Sequence, residues 1–229
     1  MKHLTDALKS SMTSLYESIF DDDIVTRKVD PEEYIKNFLN EWYDLSINNV
    51  KIIKKNHQYI VNVRDNVYTK RYDIKSLTNG LFKFGTITGN FDCSYCDITT
   101  LEGCPDVILG SFDCSGNNKL KNLEHAPKKV TRLFDCSRCY NLKSLNGLQQ
   151  SELANFDCSY CNSLISLEGL PEKINGGLVV SGCSNLETLK GCPKHAKEYF
   201  EIRKCPKIDR KNIIDYRPNG VKNVYSDLF

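Results

Sequence analysis

Three pairs of closely spaced cysteines are the residues of this chain with the clearest potential for chemistry. Two residues separate the members of each pair, and the pairs are Cys93/Cys96, Cys136/Cys139 and Cys158/Cys161. Eighteen residues lie between Cys139 and Cys158. Four thiolates at this spacing are typical of a structural zinc site, so a zinc-binding module formed by two of the pairs is one hypothesis.

The same cysteines also belong to a repeat of 21 or 22 residues. All 11 cysteines of the chain lie within this repeat region, from Cys93 to Cys205. The repeat begins at an apolar position that is occupied in turn by Phe91, Phe112, Phe134, Phe156, Leu178 and Phe200. Two residues later, where the first cysteine of a pair stands, the last two copies carry Val180 and Ile202. Valine and isoleucine cannot bind a metal, so this is a packing position, which cysteine fills as a small buried hydrophobe. The repeat therefore favours free thiols in a reducing compartment, with no metal and no cofactor.

The repeat predicts an elongated fold built from stacked coils. The run Phe-x-Cys alternates inward and outward residues, which is the periodicity of a β-strand, and the Gly and Pro positions that follow it turn the chain. A unit of this length cannot bury its own apolar side, but stacked copies cover one another. We therefore expect an α+β protein in which residues 74–210 form a solenoid of about six coils with a parallel ladder of six short strands.

The pattern Phe-x-Cys-x-x-Cys-x-x-Leu-x-x-Leu resembles the leucine-rich repeat. Asn117 stands where that family places its asparagine, and cysteine takes this place in the other copies. The closing segments 101–105 and 167–171 are similar to the short repeats of bacterial and bacteriophage leucine-rich proteins. The resemblance concerns the fold and says little about function. The third copy departs from the pattern at Gln149 and Glu152, which predicts a local bulge there.

Residues 1–23 are expected to form an amphipathic leader. One helix face carries an apolar stripe that consists of Leu4, Leu8, Met12, Leu15 and Ile19. Such a helix could dock on the body of the protein or remain a mobile tail. The N-terminal sequence also resembles the packaging peptides of tailed-phage internal proteins. In that comparison, Glu17 followed by Ser18 resembles a site that a phage prohead protease cuts.

Both ends of the solenoid are expected to be capped. Residues 24–73 form a predicted α+β module, with a helix from Asp30-Pro31 to about Tyr43. Its three strands are predicted to form an antiparallel cap and comprise Val50–Ile53, Tyr59–Val63 and Val67–Lys70. Residues 211–229 are expected to close the other end.

The outer surface of the predicted ladder supplies the candidate binding residues. Acidic side chains occupy the outward position between the first two core positions, namely Asp92, Asp113, Asp135, Asp157 and, two copies later, Glu201. Beside these acidic residues, where the chain leaves each predicted strand and enters the following loop, are Tyr95, Arg138, Tyr160, Arg203 and Lys204. One interpretation is an acidic stripe that receives a basic partner surface or a cation. The other is that each aspartate caps nearby backbone or serine groups, or is merely inherited through duplication.

Composition limits the functions that are expected. The formal net charge of +2 gives no electrostatic reason to expect nucleic acid or an anionic membrane as a partner, and no apolar run is long enough to span a bilayer. The four histidines lie in unrelated contexts, so the chain is not expected to be an enzyme. We expect a scaffold that binds a capsid or host protein, in the reducing cytoplasm of a bacterial host or inside a virion. The alternative is an effector or anti-defence inhibitor of a host enzyme. The oligomeric state is left open.

Overall fold

The computed structural model describes residues 30–70, 72–78 and 80–228, and they form an α+β fold whose main part is a β-solenoid. The strands stack in parallel, apart from two antiparallel pairs near the N-terminal end. The predicted leader over residues 1–23, including the candidate processing site at Glu17 and Ser18, lies outside the described residues.

Helix α1, Pro31–Trp42, begins where the sequence predicts and ends one residue earlier than expected. The carboxylate of Asp30 accepts a hydrogen bond from the backbone N–H of Glu32 at 3.0 Å, which satisfies one of the free donors at the helix start. A short strand, a 3-10 turn and an antiparallel hairpin follow, namely β1 (Tyr43–Asp44), Ile47–Asn49, β2 (Val50–Lys55) and β3 (Gln58–Val63).

The main sheet contains nine strands and presents one face to the core. In spatial order, its members are β1, β4 (Val67–Thr69), β6 (Phe91–Asp92), β8 (Phe112–Asp113), β10 (Leu133–Asp135), β11 (Asn155–Asp157), β13 (Leu178–Val179), β15 (Tyr199–Ile202) and β16 (Asn223–Ser226). All neighbours are parallel except β1 and β4. Consecutive strands are therefore separated by one full coil of the chain.

A second sheet covers the other side of the coils. It consists of β2, β3, β5 (Lys83–Ile87), β7 (Val107–Ile108) and β9 (Lys129–Val130). Two further strands continue the same side of the solenoid as a separate pair, β12 (Lys173–Ile174) and β14 (His195–Ala196). The core thus lies between two ladders of very short strands.

The first apolar position of the repeat forms a stack of rings through the core. Phe91, Phe112, Phe134 and Phe156 are fully buried, and their centroids are 5.0–6.2 Å apart from one coil to the next. Burial of one such ring stabilises the fold by roughly 1.5–3 kcal/mol, and the ring contacts add to this. The stack continues at the N-terminal end through Phe84, whose ring lies 5.2 Å from that of Phe91.

The parallel ladder extends beyond the six predicted coils by one strand at each end. Val67 pairs with Phe91, and Phe200 pairs with Val224 at the opposite end. Strand β4 is therefore the first parallel rung of the main sheet, and on its other side it pairs antiparallel with β1. Eight parallel rungs result, with β1, β2 and α1 at the N-terminal end. Helix α2, Arg210–Tyr216, lies near the C-terminal end and buries Ile213.

The irregular third copy coincides with the break in the second sheet. Between β9 and the bridge at Leu153, the side chain of Gln150 takes the place of a strand. Its Oε1 accepts a hydrogen bond from the backbone N–H of Val130 at 3.0 Å, and its Nε2 donates to the carbonyl oxygen of Pro127 at 3.3 Å. The sequence predicts a local bulge at Gln149 and Glu152, and the structure has an interruption of the second sheet at these positions. The side chain that bridges the interruption belongs to Gln150, which lies between these two residues in the sequence.

Candidate functional site

The outward position of the main sheet carries four aspartates at four successive rungs. Asp92 pairs in register with Asp113, Asp113 with Asp135, and Asp135 with Asp157. We call these four residues the acidic column. The parallel rungs of a sheet are about 4.8 Å apart, so the column is about 14 Å long. The side chains are half-buried, whereas the phenylalanines and cysteines on either side of them along the strand are buried.

Each aspartate of the acidic column also holds its own turn. One carboxylate oxygen accepts a hydrogen bond from the backbone N–H of the serine two residues later, at 2.8 Å in all four coils. The serines are Ser94, Ser115, Ser137 and Ser159. This is the local side-chain turn that aspartate favours. The capping interpretation of the sequence is therefore confirmed, and the side chains of Ser115 and Ser137 also hydrogen-bond to Asp113 and Asp135.

Burial and mutual repulsion act on the middle of the column. Loss of solvent, with the charges of Asp135 and Asp92, raises the pKa of the Asp113 carboxyl to about 6, against the hydrogen bonds from Ser115. The pKa of Asp135 is also raised, first by burial and then by the charge of Asp157. The hydrogen bonds from Ser137 and the charge of Arg138 oppose this shift. The column is therefore an electrostatically strained feature of the fold.

Beyond the acidic column, the same outward position changes character. It continues through Val179 and Glu201 to Tyr225, and at the other end it begins with Tyr68. Glu201 accepts a hydrogen bond from the hydroxyl of Ser181 at 3.3 Å. The guanidinium of Arg203 lies 5.6 Å from the centre of the Tyr225 ring. The predicted acidic residue Glu201 is thus separated from the four aspartates by Val179.

The predicted contact residues beside the column share one unusual backbone conformation. Four residues after each first core position, φ is positive in all six copies. We call this set the left-handed column, and it consists of Tyr95 (51°), Gly116 (69°), Arg138 (57°), Tyr160 (59°), Gly182 (76°) and Lys204 (53°). Only glycine adopts this region without steric cost, so the four larger side chains are present in spite of strain.

The side chains of the left-handed column pack against one another along the solenoid. The ring of Tyr95 lies over Gly116, where an added Cβ would come within 2.5 Å of the ring, and Tyr160 lies over Gly182 in the same way. The guanidinium of Arg138 lies 5.4 Å from the centre of the Tyr160 ring. Tyr95 and Tyr160 remain 52% and 39% exposed. The outer face therefore combines carboxylates with partly exposed aromatic rings, which is a composition typical of binding surfaces.

The cysteines face the opposite side of the strands, in the core. Ten of the 11 are buried, Cys192 is half-buried, and all are free thiols. The thiol at the second cysteine position donates to a backbone carbonyl of the preceding coil, with Sγ–O distances of 3.3 Å from Cys139 to Cys114, 3.2 Å from Cys161 to Cys136 and 3.3 Å from Cys183 to Cys158. Burial raises the pKa of the thiols of Cys93, Cys114 and Cys136 well above the usual value. These sulfurs therefore serve the fold as neutral thiols.

The two pairs of the zinc hypothesis lie in adjacent coils, with their sulfurs directed to carbonyl oxygens. Over residues 30–70, 72–78 and 80–228, no three His, Cys, Asp or Glu side chains are grouped so that they could hold a metal ion.

A polar cleft of about 360 Å³ lies away from the acidic column, at the turns that precede the strands of the second sheet. Lys83 and Lys128 both pair with Asp106 there, at 2.8 and 3.1 Å.

Comparison with known proteins finds no relative of this chain at the level of sequence family, curated protein or solved structure. The resemblance of this chain to the leucine-rich repeat rests on the pattern of its sequence. No helix within the described part of the chain is long and apolar enough to cross a membrane.

Sequence reasoning missed Tyr68 and Tyr225, which end the outward row that contains the acidic column. A signal for both exists in the sequence. Val67 precedes Phe91 by 24 residues, and Val224 follows Phe200 by 24 residues. Both valines therefore lie within two residues of the position that the repeat predicts for its first apolar residue. The tyrosine that follows each valine occupies the position that aspartate occupies in the other coils.

Proposed function

We propose that this chain is a non-enzymatic binding protein whose outer face, centred on the acidic column, holds a cationic segment of another protein. The observation that carries the proposal is the in-register repetition of Asp92, Asp113, Asp135 and Asp157 over four rungs. Neighbouring carboxylates at about 4.8 Å repel each other by about 0.9 kcal/mol in a water-like medium. A row of lysine or arginine side chains along the column would remove this repulsion and replace it with attraction.

The geometry indicates how such a segment would lie. A chain that runs along the solenoid axis covers the column of about 14 Å with four or five extended residues. Its cationic groups would reach the carboxylates of the acidic column, and the exposed rings of Tyr68, Tyr95 and Tyr160 would contact its aliphatic stems and charged ends. Arg138 stands within this surface and favours a partner that also supplies a carboxylate or a backbone carbonyl at that point.

The decisive experiment removes the charge of the acidic column without changing its shape. The variant Asp92→Asn/Asp113→Asn/Asp135→Asn/Asp157→Asn keeps an oxygen that can accept the turn hydrogen bond. A matched control replaces four exposed carboxylates that pair with lysines elsewhere on the solenoid, namely Glu152, Glu168, Glu172 and Glu187, with glutamine. Both variants raise the formal net charge of +2 by four.

Fluorescence anisotropy with a labelled octa-arginine peptide at low salt compares the three proteins. We expect the column variant to bind at least about tenfold more weakly than the unaltered protein, and the control to stay within about threefold. Circular dichroism confirms that each variant is folded. Equal loss of binding in both variants would mean that only net charge matters, and the acidic column would then have no role.

The biological partner is proposed to be a capsid protein or a host protein. The packaging hypothesis and the inhibitor hypothesis differ in where the protein is found. Mass spectrometry of purified particles that contained abundant chain beginning at Ser18 would support packaging, and presence in the infected cytosol alone would support the inhibitor. Glu17→Ala blocks the proposed processing site and provides the control for the first outcome, because the chain should then retain its leader.

A further inference from the structure

We infer that the acidic column is a proton-responsive element in which Asp113 takes up a proton in mildly acidic solution, which stabilises the solenoid and weakens its hold on a cationic segment. The effect on stability follows from the fold alone. The effect on binding rests on the proposed function.

The geometry singles out Asp113 and Asp135 within the column. Asp113 pairs with an aspartate on both sides, Asp92 on β6 and Asp135 on β10, and Asp135 has Asp113 and Asp157. The two end members each have one aspartate neighbour, since Asp157 pairs next with Val179 and Asp92 with Tyr68. Each ionised carboxylate in a half-buried position disfavours ionisation of its neighbour. The pKa of a carboxyl that lies between two others is therefore raised most.

Among the described residues, the main influences on the pKa of Asp113 include no cation. Cys93 and Cys114 directly follow Asp92 and Asp113, and burial in the core keeps their thiols neutral because it raises their pKa well above the usual value. Arg138 acts on Asp135, whose pKa it lowers in part. The pKa of Asp113 is raised to about 6 under the net effect of burial, its two aspartate neighbours and the opposing hydrogen bonds from Ser115.

The sign of the effect on stability follows from this direction. In the unfolded chain an aspartate titrates near 3.9, so between about pH 4 and pH 6 the folded protein binds more protons than the unfolded one. The free energy of unfolding therefore decreases as the pH rises through this range, and above it the full destabilisation by the ionised carboxyl is present. A cationic segment bound along the column would offset that destabilisation at neutral pH.

The first test measures the proton directly on the full chain. Carbon-detected NMR of the side-chain carboxyls should give a midpoint near pH 6 for Asp113. The Tm at about pH 5.5 should exceed that at about pH 7.5 by about 2–4 °C, and Asp113→Asn should reduce this difference to about half or less. Asp157→Asn is the matched control, because asparagine keeps an oxygen for the identical turn hydrogen bond and the change removes only one aspartate contact; it should keep most of the difference.

The second test uses the octa-arginine peptide, whose charge does not change in this range. At about pH 5.5 a carboxyl with a midpoint of about 6 is about three-quarters protonated, so affinity should fall about two- to fivefold relative to about pH 7.5. Asp113→Asn should show a smaller change. A midpoint below pH 5 for Asp113, or the same Tm difference in Asp113→Asn as in the unaltered protein, would overturn the proton inference. A midpoint near 6 with pH-independent peptide binding would instead contradict the binding face.

Discussion

The thiol of Cys161 donates a hydrogen bond to the backbone carbonyl oxygen of Cys136 in the preceding coil, with a distance of 3.2 Å between Sγ and O. The same contact recurs between Cys205 and Val180, also at 3.2 Å. In the second copy, the side-chain amide of Asn117 replaces the thiol and donates to the carbonyl of Cys93 at 2.9 Å. The second cysteine position is therefore defined by a small side chain that can donate one hydrogen bond between coils.

Asn117 provides the test of this equivalence. Asn117→Cys should keep the free energy of unfolding within about 1 kcal/mol of the unaltered protein, because a thiol can reach the carbonyl of Cys93 and the amide oxygen of Asn117, which has no partner among the described residues, is removed. Asn117→Ala should cost about 1–3 kcal/mol, since no donor remains for that carbonyl. Urea unfolding followed by circular dichroism measures both. Equal stability of the two variants would show that the position needs only small size.

Gln150 should be far more important for stability than its neighbour Gln149. Gln150 is 8% exposed and bridges Val130 to Pro127 where the second sheet is interrupted, whereas Gln149 is exposed. Gln150→Ala leaves a buried N–H without its acceptor and should lower the free energy of unfolding by about 2–3 kcal/mol. Gln149→Ala should change it by less than about 0.5 kcal/mol. A similar small effect in both would mean that water or a shift of the chain repairs the gap.

The repeat allowed much of the fold to be predicted because one side chain per coil fixes its phase. Phe91, Phe112, Phe134 and Phe156 stand in register in the core, and the aspartates that follow them stand in register outside, as the alternation of a strand requires. Strands β4 and β16 were not predicted as rungs because a valine replaces the aromatic ring in each. Their coils also differ by two residues from the usual period.

The left-handed column and the Gln150 bridge illustrate what the sequence could and could not show. Gly116 and Gly182 recur at one phase of the repeat, which is a signal for positive φ at Tyr95, Arg138, Tyr160 and Lys204 as well. The bridge made by Gln150 has no such signal, because it depends on a gap between two coils whose width only the folded chain defines. Contacts within one phase can be predicted from a repeat, and contacts that compensate for its irregularities cannot.

The thiols of the native protein should resist modification. Burial raises the pKa of the half-buried Cys192 to about 12 and that of the buried Cys93 well above the usual value, so few thiolates are present at about pH 8. With an aromatic disulfide reagent, we expect less than about one thiol per chain to react within minutes, and all 11 to react in concentrated guanidinium chloride. Mass mapping should find Cys192 modified first. Rapid modification of Cys136 or Cys139 in the native state would contradict the buried arrangement.

Replacement of Lys204 by glycine should stabilise the protein. Lys204 has a φ of 53°, and its backbone N–H donates to the carboxylate of Asp227 at 2.7 Å, a contact that glycine retains. Relief of the left-handed conformation exceeds the added entropy of the unfolded chain by about 0.5–1 kcal/mol. Arg138→Gly relieves the same conformation at 57° but removes the contact of its guanidinium with the Tyr160 ring, so its gain should be smaller.

Urea unfolding of the two variants separates strain from side-chain contact. If Lys204→Gly is more stable and Arg138→Gly is not, the arginine compensates locally for its own strain. The lysine is then a member of the left-handed column whose strain no ring contact within the described part of the chain offsets, which would support a binding role for its side chain. Unchanged peptide affinity in Lys204→Gly would remove it from the binding face. A loss of stability in Lys204→Gly would show that its aliphatic stem packs on the solenoid, which would contradict the strain argument.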